Sequence, residues 1–329
     1  MPIKKLLIIP QNWLGDIIMS QTLLKQIKSQ NPDIKIDILV NSSFKSLVER
    51  MPELNKAIIL DCNHNQLGLL KRYRLAKKIR GSYDQSIVLS RSYKSALIPY
   101  IAKIPKRTGE IGESRYLLIN DLKTFSKESR RKTAYRYVSM FSDKKIDLEE
   151  KFYPVLKKNT SNIKRLTKNY NLNLNKKIII FAPGAAFGPS KMWPVNKFIE
   201  LGEKLKKDYF IIVIGNRNEK NIGDQIVTNE NMLNLCGETS IADAIDLMHI
   251  SECCVSNDSG LMHLASAANT KSISIYGATS PDLTPPLTNN KEIHYKRIQC
   301  SPCFERKCKF GHYNCLEEIQ VADVFKSFE

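Results

Sequence analysis

The sequence has no uninterrupted apolar run of the roughly 18 residues that a membrane-spanning helix requires. Its first apolar run, residues 6–10, is short, and Asn12 and Asp16 follow it without the cleavage pattern of a signal peptide. We therefore expect this run to form a first β-strand and the protein to be cytoplasmic.

Two nucleotide-binding signatures are also missing. The absence of G-x-x-x-x-G-K-[ST] argues against ATP hydrolysis, and the absence of G-x-G-x-x-G argues against an NAD-dependent oxidoreductase. No Ser/His/Asp set is evident, and His263 has no second histidine or acidic residue at a metal-binding spacing.

Length and composition instead indicate two soluble domains. The chain has 329 residues, of which 42% are hydrophobic and 26% charged. Strand-like apolar runs alternate with helical periodicity in both halves, which predicts an α/β protein with doubly wound parallel sheets. We expect one domain over residues 1–160 and another over 175–329, with a Lys- and Asn-rich connection at 157–177.

The formal charge of +18 is unevenly distributed. Residues 1–150 hold 28 Lys and Arg against 15 Asp and Glu, and therefore carry +13 of it. The positive charge of this half favours an anionic partner. The candidates are nucleic acid, an acidic lipid surface and a phosphorylated substrate. The alternative is a Lys-rich surface that only reflects overall composition.

The basic helix predicted over residues 67–80 narrows the choice among these three kinds of anionic partner. It has few aromatic residues among its cations and no nucleic-acid reader motif, so nucleic acid is not expected as a partner. The helix either lies against anionic lipid or is a solvated charged face.

Four of the eight cysteines are clustered near the end of the sequence. In a cytosolic chain such a tetrad favours a structural zinc site over disulfides, although free or redox-active thiols are the alternative. The other four lie in apolar contexts that are typical of small core residues. The clustered residues are Cys300, Cys303, Cys308 and Cys315.

Residues 257–264, Asn-Asp-Ser-Gly-Leu-Met-His-Leu, are the most informative stretch. They follow the apolar run 253–255 and open a helical pattern, which predicts a strand, a tight turn and a helix start. Free backbone N–H groups and the helix dipole converge at such a start, where anionic ligands bind. The alternative is that Asp258 or Ser259 caps an ordinary crossover helix.

Three further residues lie just past predicted strand ends, where open α/β sheets place their sites. Asp16 is a candidate general base, or alternatively a helix cap. Lys191, in the Gly/Pro-rich loop 182–194, is suited to neutralise a leaving diphosphate. Glu219 is placed to meet a ribose hydroxyl, or is an ordinary surface residue.

Taken in order along nearly the whole chain, these motifs resemble the heptosyltransferases of lipopolysaccharide inner-core synthesis, glycosyltransferase family 9. The motifs of the first half are P-x2-W-L-G-D-x3-S-Q (10–21), R-M-P-E (50–53), S-Y-K-S-A-L (92–97), P-x-R-T-G (105–109) and R-Y-L-L-I-N-D (115–121). Those of the second half are P-G-A (183–185), F-G-P-x-K-x-W-P (187–194), N-D-S-G-L-M-H (257–263) and Y-G-x2-S-P-D-x2-P-P (276–286).

The resemblance implies a GT-B fold, in which two Rossmann-like domains face a cleft and the last helix packs back on the first domain. It implies that Asp16 is the catalytic base and that Lys191 stabilises the departing diphosphate. The first domain then takes the acceptor, through Lys94, Arg107 and Arg115. The donor-binding residues that it implies are Gly184, Lys191, Glu219, Asp258, Ser259, Gly260, Leu261 and His263.

The implied activity is metal-independent, inverting transfer of heptose from ADP-heptose to the first heptose of a Kdo-lipid A core. No cofactor is implied, and no Asp-x-Asp metal triplet occurs. The alternative within the family is a transferase with a different acceptor, such as the heptose-free core. The acceptor implies peripheral association with the cytoplasmic face of an anionic inner membrane.

Overall fold

The computed structural model describes residues 3–62, 67–125, 132–141 and 148–329. The chain divides into two compact units, Met1–Pro154 and Val155–Glu329. No helix in these described ranges is both long and apolar enough to cross a membrane.

Unit 1 contains a six-stranded, all-parallel sheet in the order β3-β2-β1-β4-β5-β6. Its elements are β1 (Lys5–Ile9), α1 (Leu14–Gln30), β2 (Lys35–Val40), α2 (Lys45–Val48), β3 (Lys56–Ile59), α3 (Leu69–Lys78), β4 (Gln85–Val88), α4 (Tyr93–Ile101), β5 (Lys106–Glu110), β6 (Asp121–Lys123) and α5 (Thr133–Val138).

The core of unit 1 forms because its central strands are apolar on both faces. Four of the five residues of β1 are buried, as expected for a parallel strand covered by helices on both sides. Apolar positions of α1, including Ile17, Leu23 and Ile27, are fully buried. These contacts fix α1 directly after β1, which positions Asp16 at the carboxyl edge of the sheet.

Unit 2 repeats this topology with its own six parallel strands, in the order β12-β11-β10-β7-β8-β9. Its elements are α6 (Thr160–Asn169), β7 (Lys177–Ala182), α7 (Val195–Leu205), β8 (Tyr209–Val213), α8 (Lys220–Ile226), β9 (Met232–Asn234), α9 (Ile241–His249), β10 (Cys253–Asn257), α10 (Gly260–Ala267), β11 (Lys271–Tyr276), β12 (Lys291–Tyr295), α11 (Asn314–Glu317) and α12 (Val321–Phe325).

In both units the strand order reverses beside the first strand, between β1 and β4 and between β7 and β10. This is the Rossmann arrangement, which places ligands at the carboxyl ends of the two strands that flank the reversal. The predicted α/β class with two doubly wound parallel sheets is confirmed.

Two details concern the predicted domain organisation. The unit boundary follows Pro154, and α6 packs on α9 within unit 2, so much of the predicted connection at 157–177 is part of that unit. The closing helix α12 packs on α7 in unit 2. That it also returns to the first domain stays a prediction.

Candidate active site

The loop that follows β7 and the turn that follows β10 are neighbours in unit 2. Strands β7 and β10 pair in register at their carboxyl ends, with Ser256 opposite Ala182. We call residues 183–194, which contain the predicted donor-binding residues Gly184 and Lys191, the donor loop. It therefore starts beside the 258–260 turn, at the point where the strand order reverses.

Asn257 holds the donor loop in place. This fully buried side chain accepts a hydrogen bond from the backbone N–H of Trp193 at 2.9 Å and donates to the carbonyl of Pro183 at 2.6 Å. Both ends of the loop are thereby fixed by one amide. In the sequence, Asn257 was identified only as part of a motif, and no role was predicted for it.

Lys191 and Asp258 form a largely buried ion pair. The Nζ of Lys191 donates to Oδ2 of Asp258 at 2.6 Å, and the hydroxyl of Thr279 donates to the same oxygen at 2.5 Å. The two residues implied to bind the donor are thus brought together across 67 residues of sequence. Thr279 was not predicted.

The start of α10 leaves polar groups available for a ligand. Ser259 is the N-cap, but its side chain makes no capping hydrogen bond. Its hydroxyl is buried and has no hydrogen-bond partner within the part of the chain that the structure describes. Gly260 and Leu261 follow as the first helical residues, so their N–H groups lie where helix starts bind anions.

His263 is buried one turn into α10. The pKa of its imidazole is lowered to about 4, chiefly by burial, with the Asp258 carboxylate raising it and the Lys191 ammonium lowering it. The ring is therefore neutral at physiological pH and adds no charge to the site.

Glu219 ends a 3-10 helix, Arg217–Glu219, just past β8, and its carboxylate accepts a hydrogen bond from the N–H of Asn216 at 2.7 Å. A Cβ at Gly184 would lie 1.9 Å from a Glu219 oxygen, so any side chain at that point of the donor loop would require the carboxylate to move. Burial raises the pKa of Glu219. The carboxylate thus contacts the donor loop directly.

Asp16 lies in the first turn of α1 in unit 1. Trp13, not Asp16, is the N-cap of this helix. The phenol of Tyr137 donates to Oδ1 of Asp16 at 2.5 Å, and Gln11 donates to the same phenol oxygen at 3.2 Å. Burial and the Asp16 carboxylate raise the pKa of Tyr137, so it remains a donor.

Tyr137 was missed because it lies 121 residues from Asp16 in an element without a motif. Its ring is fully buried, and the guanidinium of Arg136 lies 5.6 Å from the ring centroid. Arg136 in turn lies 3.6 Å from a carboxylate oxygen of Glu110. Packing around the buried ring, rather than solvent-exposed contacts, therefore holds the Tyr137 hydroxyl that donates to Asp16.

A pocket of about 210 Å³ opens at the carboxyl edge of the unit 1 sheet. Loops after β1, β2 and β4 line it with amides and hydroxyls, and Lys94 lies on its wall. Most of the polar lining comes from Gln11, Asn12, Asn41, Ser90, Ser92 and Ser95. Neutral hydrogen-bonding groups together with two cationic residues, Lys94 and Arg72, suit a polyhydroxylated ligand that carries negative charge.

The structure places the other two acceptor candidates differently. Arg115 is 1% exposed, and its guanidinium donates to the backbone carbonyls of Glu110, Ser90 and Ser92. Arg107 donates to the carbonyls of Leu118 and Ile104. We therefore expect both to shape the loops around the pocket rather than to touch a ligand.

The cysteine tetrad surrounds a small pocket of about 40 Å³ in unit 2. Backbone amides of residues 310–313, that of Tyr313 foremost, lower the pKa of Cys308, while burial raises that of Cys315 to about 11. In the described ranges, which include all four cysteines, no three His, Cys, Asp or Glu side chains are placed to hold a metal ion. The zinc prediction therefore finds no support.

Comparison with known proteins finds a matching family model and several similar proteins. The family model described as glycosyltransferase family 9 (heptosyltransferase) matches residues 72–314. The chain is 39% identical over 303 residues to lipooligosaccharide heptosyltransferase 2 of Haemophilus influenzae, covering 88% of this chain and 87% of that protein.

Two Escherichia coli proteins extend the comparison. Lipopolysaccharide heptosyltransferase 2 of strain K12 is 35% identical over 303 residues, with 88% of this chain and 87% of that protein covered. The solved structure of E. coli ADP-heptose LPS heptosyltransferase II superposes with a TM-score of 0.87 at 31% identity, covering 98% of this chain and 97% of that one.

Proposed function

The chain belongs to glycosyltransferase family 9, and from this premise we propose that it transfers heptose from ADP-heptose to the first heptose of a Kdo-lipid A core. The relatives named heptosyltransferase 2 support this choice of acceptor. The donor is supported by the similar E. coli protein of known structure, which is an ADP-heptose LPS heptosyltransferase. The observation that carries the proposal is the Lys191–Asp258 pair beside the uncapped start of α10.

The proposed reaction is a direct, inverting displacement. An acceptor hydroxyl attacks the anomeric carbon, the bond from that carbon to the diphosphate oxygen breaks, and Asp16 takes the hydroxyl proton. Negative charge grows on the departing ADP, where Lys191 and the N–H groups at the start of α10 oppose it. Side chains and backbone N–H groups of the protein accept the proton and stabilise the charge on the diphosphate, so the scheme includes no cofactor.

The donor site provides fixed electrostatics rather than flexible contacts. Lys191 is held by Asp258, and Asn257 fixes the backbone on either side of it. Donors that are already oriented need no rearrangement as charge develops, which is how such groups lower a barrier. Glu219, against Gly184, supplies a carboxylate for the ribose hydroxyls of the nucleotide.

The acceptor is assigned to the pocket in unit 1. Asp16 follows the same strand end as Gln11 and Asn12, which line that pocket. The Lys94 ammonium is the acceptor-binding cation that we retain, since Lys94 lies on the pocket wall. Arg107 and Arg115 keep a supporting role, because their guanidinium groups bind backbone carbonyls.

The test measures ADP release from ADP-heptose by the wild type and by Asp16→Asn. We expect release to depend on a one-heptose Kdo-lipid A acceptor, and to fall by about 10²-fold or more in the variant. ADP affinity, which reports the unit 2 site, should stay at the wild-type value in a folded variant. Turnover with only a heptose-free core would reassign the acceptor, and an unimpaired Asp16→Asn enzyme would refute the base.

We also propose that α3 places the enzyme on an anionic membrane surface, where its lipid-linked acceptor lies. Leu70, Tyr73, Arg74 and Lys77 are three or four residues apart and share one face of α3, and all are exposed. Leu70 is 72% exposed, and the Lys77 ammonium lies 5.0 Å from the Tyr73 ring centroid. Apolar side chains among cations are typical of interfacial helices.

Arg72 does not belong to this lipid-facing surface. Its side chain is buried and donates to the backbone carbonyls of Leu67 and Lys94. The expectation from sequence that the whole basic helix faces solvent or lipid is therefore corrected for this residue. Arg72 ties α3 to α4 and should be left intact in any test of membrane binding.

The membrane proposal is tested with Arg74→Glu/Lys77→Glu on vesicles that contain an anionic phospholipid. We expect binding to weaken by about tenfold or more, since each cation near such a surface contributes about 1 kcal/mol. Leu70→Ser should weaken binding without changing the charge. The matched control is Lys164→Glu/Lys168→Glu on α6, two exposed lysines in unit 2. Equal losses in both double variants would refute a specific role of α3.

A further inference from the structure

The aromatic ring of Phe187 in the donor loop lies against two cations. The Lys191 ammonium is 5.0 Å from the ring centroid, and the guanidinium carbon of Arg306 is 5.6 Å from it. Arg306 is remote in sequence and lies in the cysteine-rich segment, which we define as residues 298–315. Rings attract cations through their negative faces, so Phe187 brings two positive charges to the same place.

Backbone contacts fix the position of Arg306. The N–H of Ser190 donates to the Arg306 carbonyl at 3.3 Å, and the Ser190 hydroxyl donates to the carbonyl of Glu305. A Cβ at Gly188 would lie 2.6 Å from the Arg306 carbonyl oxygen, so the close approach requires glycine there. Gly188 also has a φ of +144°, a conformation that other residues rarely adopt.

The same segment is tied to the loop that follows β11. The N–H of Phe304 donates to the carbonyl of Ala278 at 2.8 Å, and the Ser301 hydroxyl donates to that of Gly277 at 2.7 Å. Thr279, the next residue of this loop, donates to Asp258. The cysteine-rich segment is thus fastened on both sides of the Lys191–Asp258 pair.

The two cations differ in how much charge they offer a ligand. Lys191 is paired with the Asp258 carboxylate at 2.6 Å, which offsets its charge. Arg306 is exposed, and within the described part of the chain it has no carboxylate partner. The uncompensated positive charge at this edge of the donor loop therefore belongs to Arg306.

We propose that Arg306 is a specificity-determining residue that recognises the second phosphate of a nucleoside diphosphate donor, presented on Phe187 by the cysteine-rich segment. The inference rests on the proposed placement of the donor in unit 2. A planar guanidinium forms paired hydrogen bonds with phosphate oxygens, and among the described residues Arg306 has a ring contact but no carboxylate partner to give up. The segment thereby acquires a role that needs no metal.

The experiment compares ADP and AMP binding by calorimetry in the wild type, Arg306→Ala and Arg306→Lys, without acceptor. In Arg306→Ala we expect ADP affinity to fall about tenfold, the effect of one charge-assisted hydrogen bond, and AMP affinity to change less than about twofold. Arg306→Lys keeps the charge and should recover part of the preference for ADP. The KM for ADP-heptose should rise in Arg306→Ala in step with the loss of ADP affinity.

Arg297→Ala is the matched control. Arg297 lies 5.6 Å from the Tyr295 ring centroid, in the same unit and with the same kind of ring contact, but pairs with Asp282. This variant should bind ADP as the wild type does. Thermal unfolding of every variant reports whether the fold is retained.

Several outcomes overturn the inference. Wild-type ADP affinity in Arg306→Ala, or equal losses for ADP and AMP, would show that Arg306 does not read the second phosphate. A wild type that binds ADP with this dependence on Arg306, yet transfers no heptose, would refute only the proposed function. A wild type that binds neither ADP nor ADP-heptose would refute both.

Discussion

Replacing Tyr137 by phenylalanine tests whether the hydrogen bond to Asp16 governs the proposed base. The substitution removes one buried hydroxyl that donates to the carboxylate at 2.5 Å and accepts from Gln11 at 3.2 Å. A hydrogen bond to a charged group contributes about 1.5–3 kcal/mol, so we expect the free energy of unfolding to fall by about that amount. The ring and its packing are retained.

The informative result is the pH dependence of turnover. A donor to a carboxylate favours its ionised form, so losing that donor favours the protonated form. The acidic limb of the pH–rate profile should therefore move to higher pH in Tyr137→Phe, by about one unit if about 1.4 kcal/mol of the bond acts on this equilibrium. The assay is acceptor-dependent ADP release across the acidic and neutral range.

Tyr83→Phe is the matched control. Tyr83 is buried in unit 1 and donates to the Asp37 carboxylate at 2.6 Å, but Asp37 lies on β2 and has no proposed catalytic role. Both variants should lose similar stability. Only Tyr137→Phe should shift the profile, and an acidic limb that stays at the wild-type position would refute the reasoning.

Three further predictions concern unit 2. The folded-state pKa of about 4 for His263 lies below its ordinary value of 6.5, so the unfolded state binds more protons between these values, and stability falls as pH drops through this window. His263→Asn should remove about 3 kcal/mol of this pH dependence. The free energy of unfolding, measured with urea, should then vary less with pH, and an unchanged slope would contradict the prediction. Lys191→Met should lower kcat by about 10²–10³-fold, as loss of an electrostatic donor does, and near-normal turnover would remove Lys191 from the mechanism. Gly184→Ala should displace the Glu219 carboxylate, since the new Cβ would lie 1.9 Å from its oxygen, and should weaken ADP binding relative to the exposed-loop control Ala186→Gly.

The strands that are easiest to predict from the sequence are those in which nearly every consecutive residue is buried. β1, β7 and β10 are apolar runs, and their presence follows from the transfer of that surface out of water. β5, with the sequence Lys-Arg-Thr-Gly-Glu, has a polar composition that does not predict a strand. Backbone hydrogen bonds to β4 and β6 hold it in the sheet, and the pattern of its side chains does not reveal this pairing.

The candidate site shows the same division. Lys191 and Asp258 could be predicted, because each follows a strand and adjacent parallel strands end at one edge. Tyr137 beside Asp16 could not, since no periodicity relates a residue of α5 to the first turn of α1. The burial of Arg115 could not be predicted, because a cation in a motif gives no sign that backbone carbonyls enclose it.

The contiguity of the two units has a consequence for biosynthesis. All six strands of the first sheet precede Pro154, and all six of the second follow it. A ribosome therefore releases every hydrogen-bonding partner of the first sheet before any strand of the second has been made. Because domains generally fold as units and N-terminal ones first, nascent chains can complete unit 1 while unit 2 is still being translated.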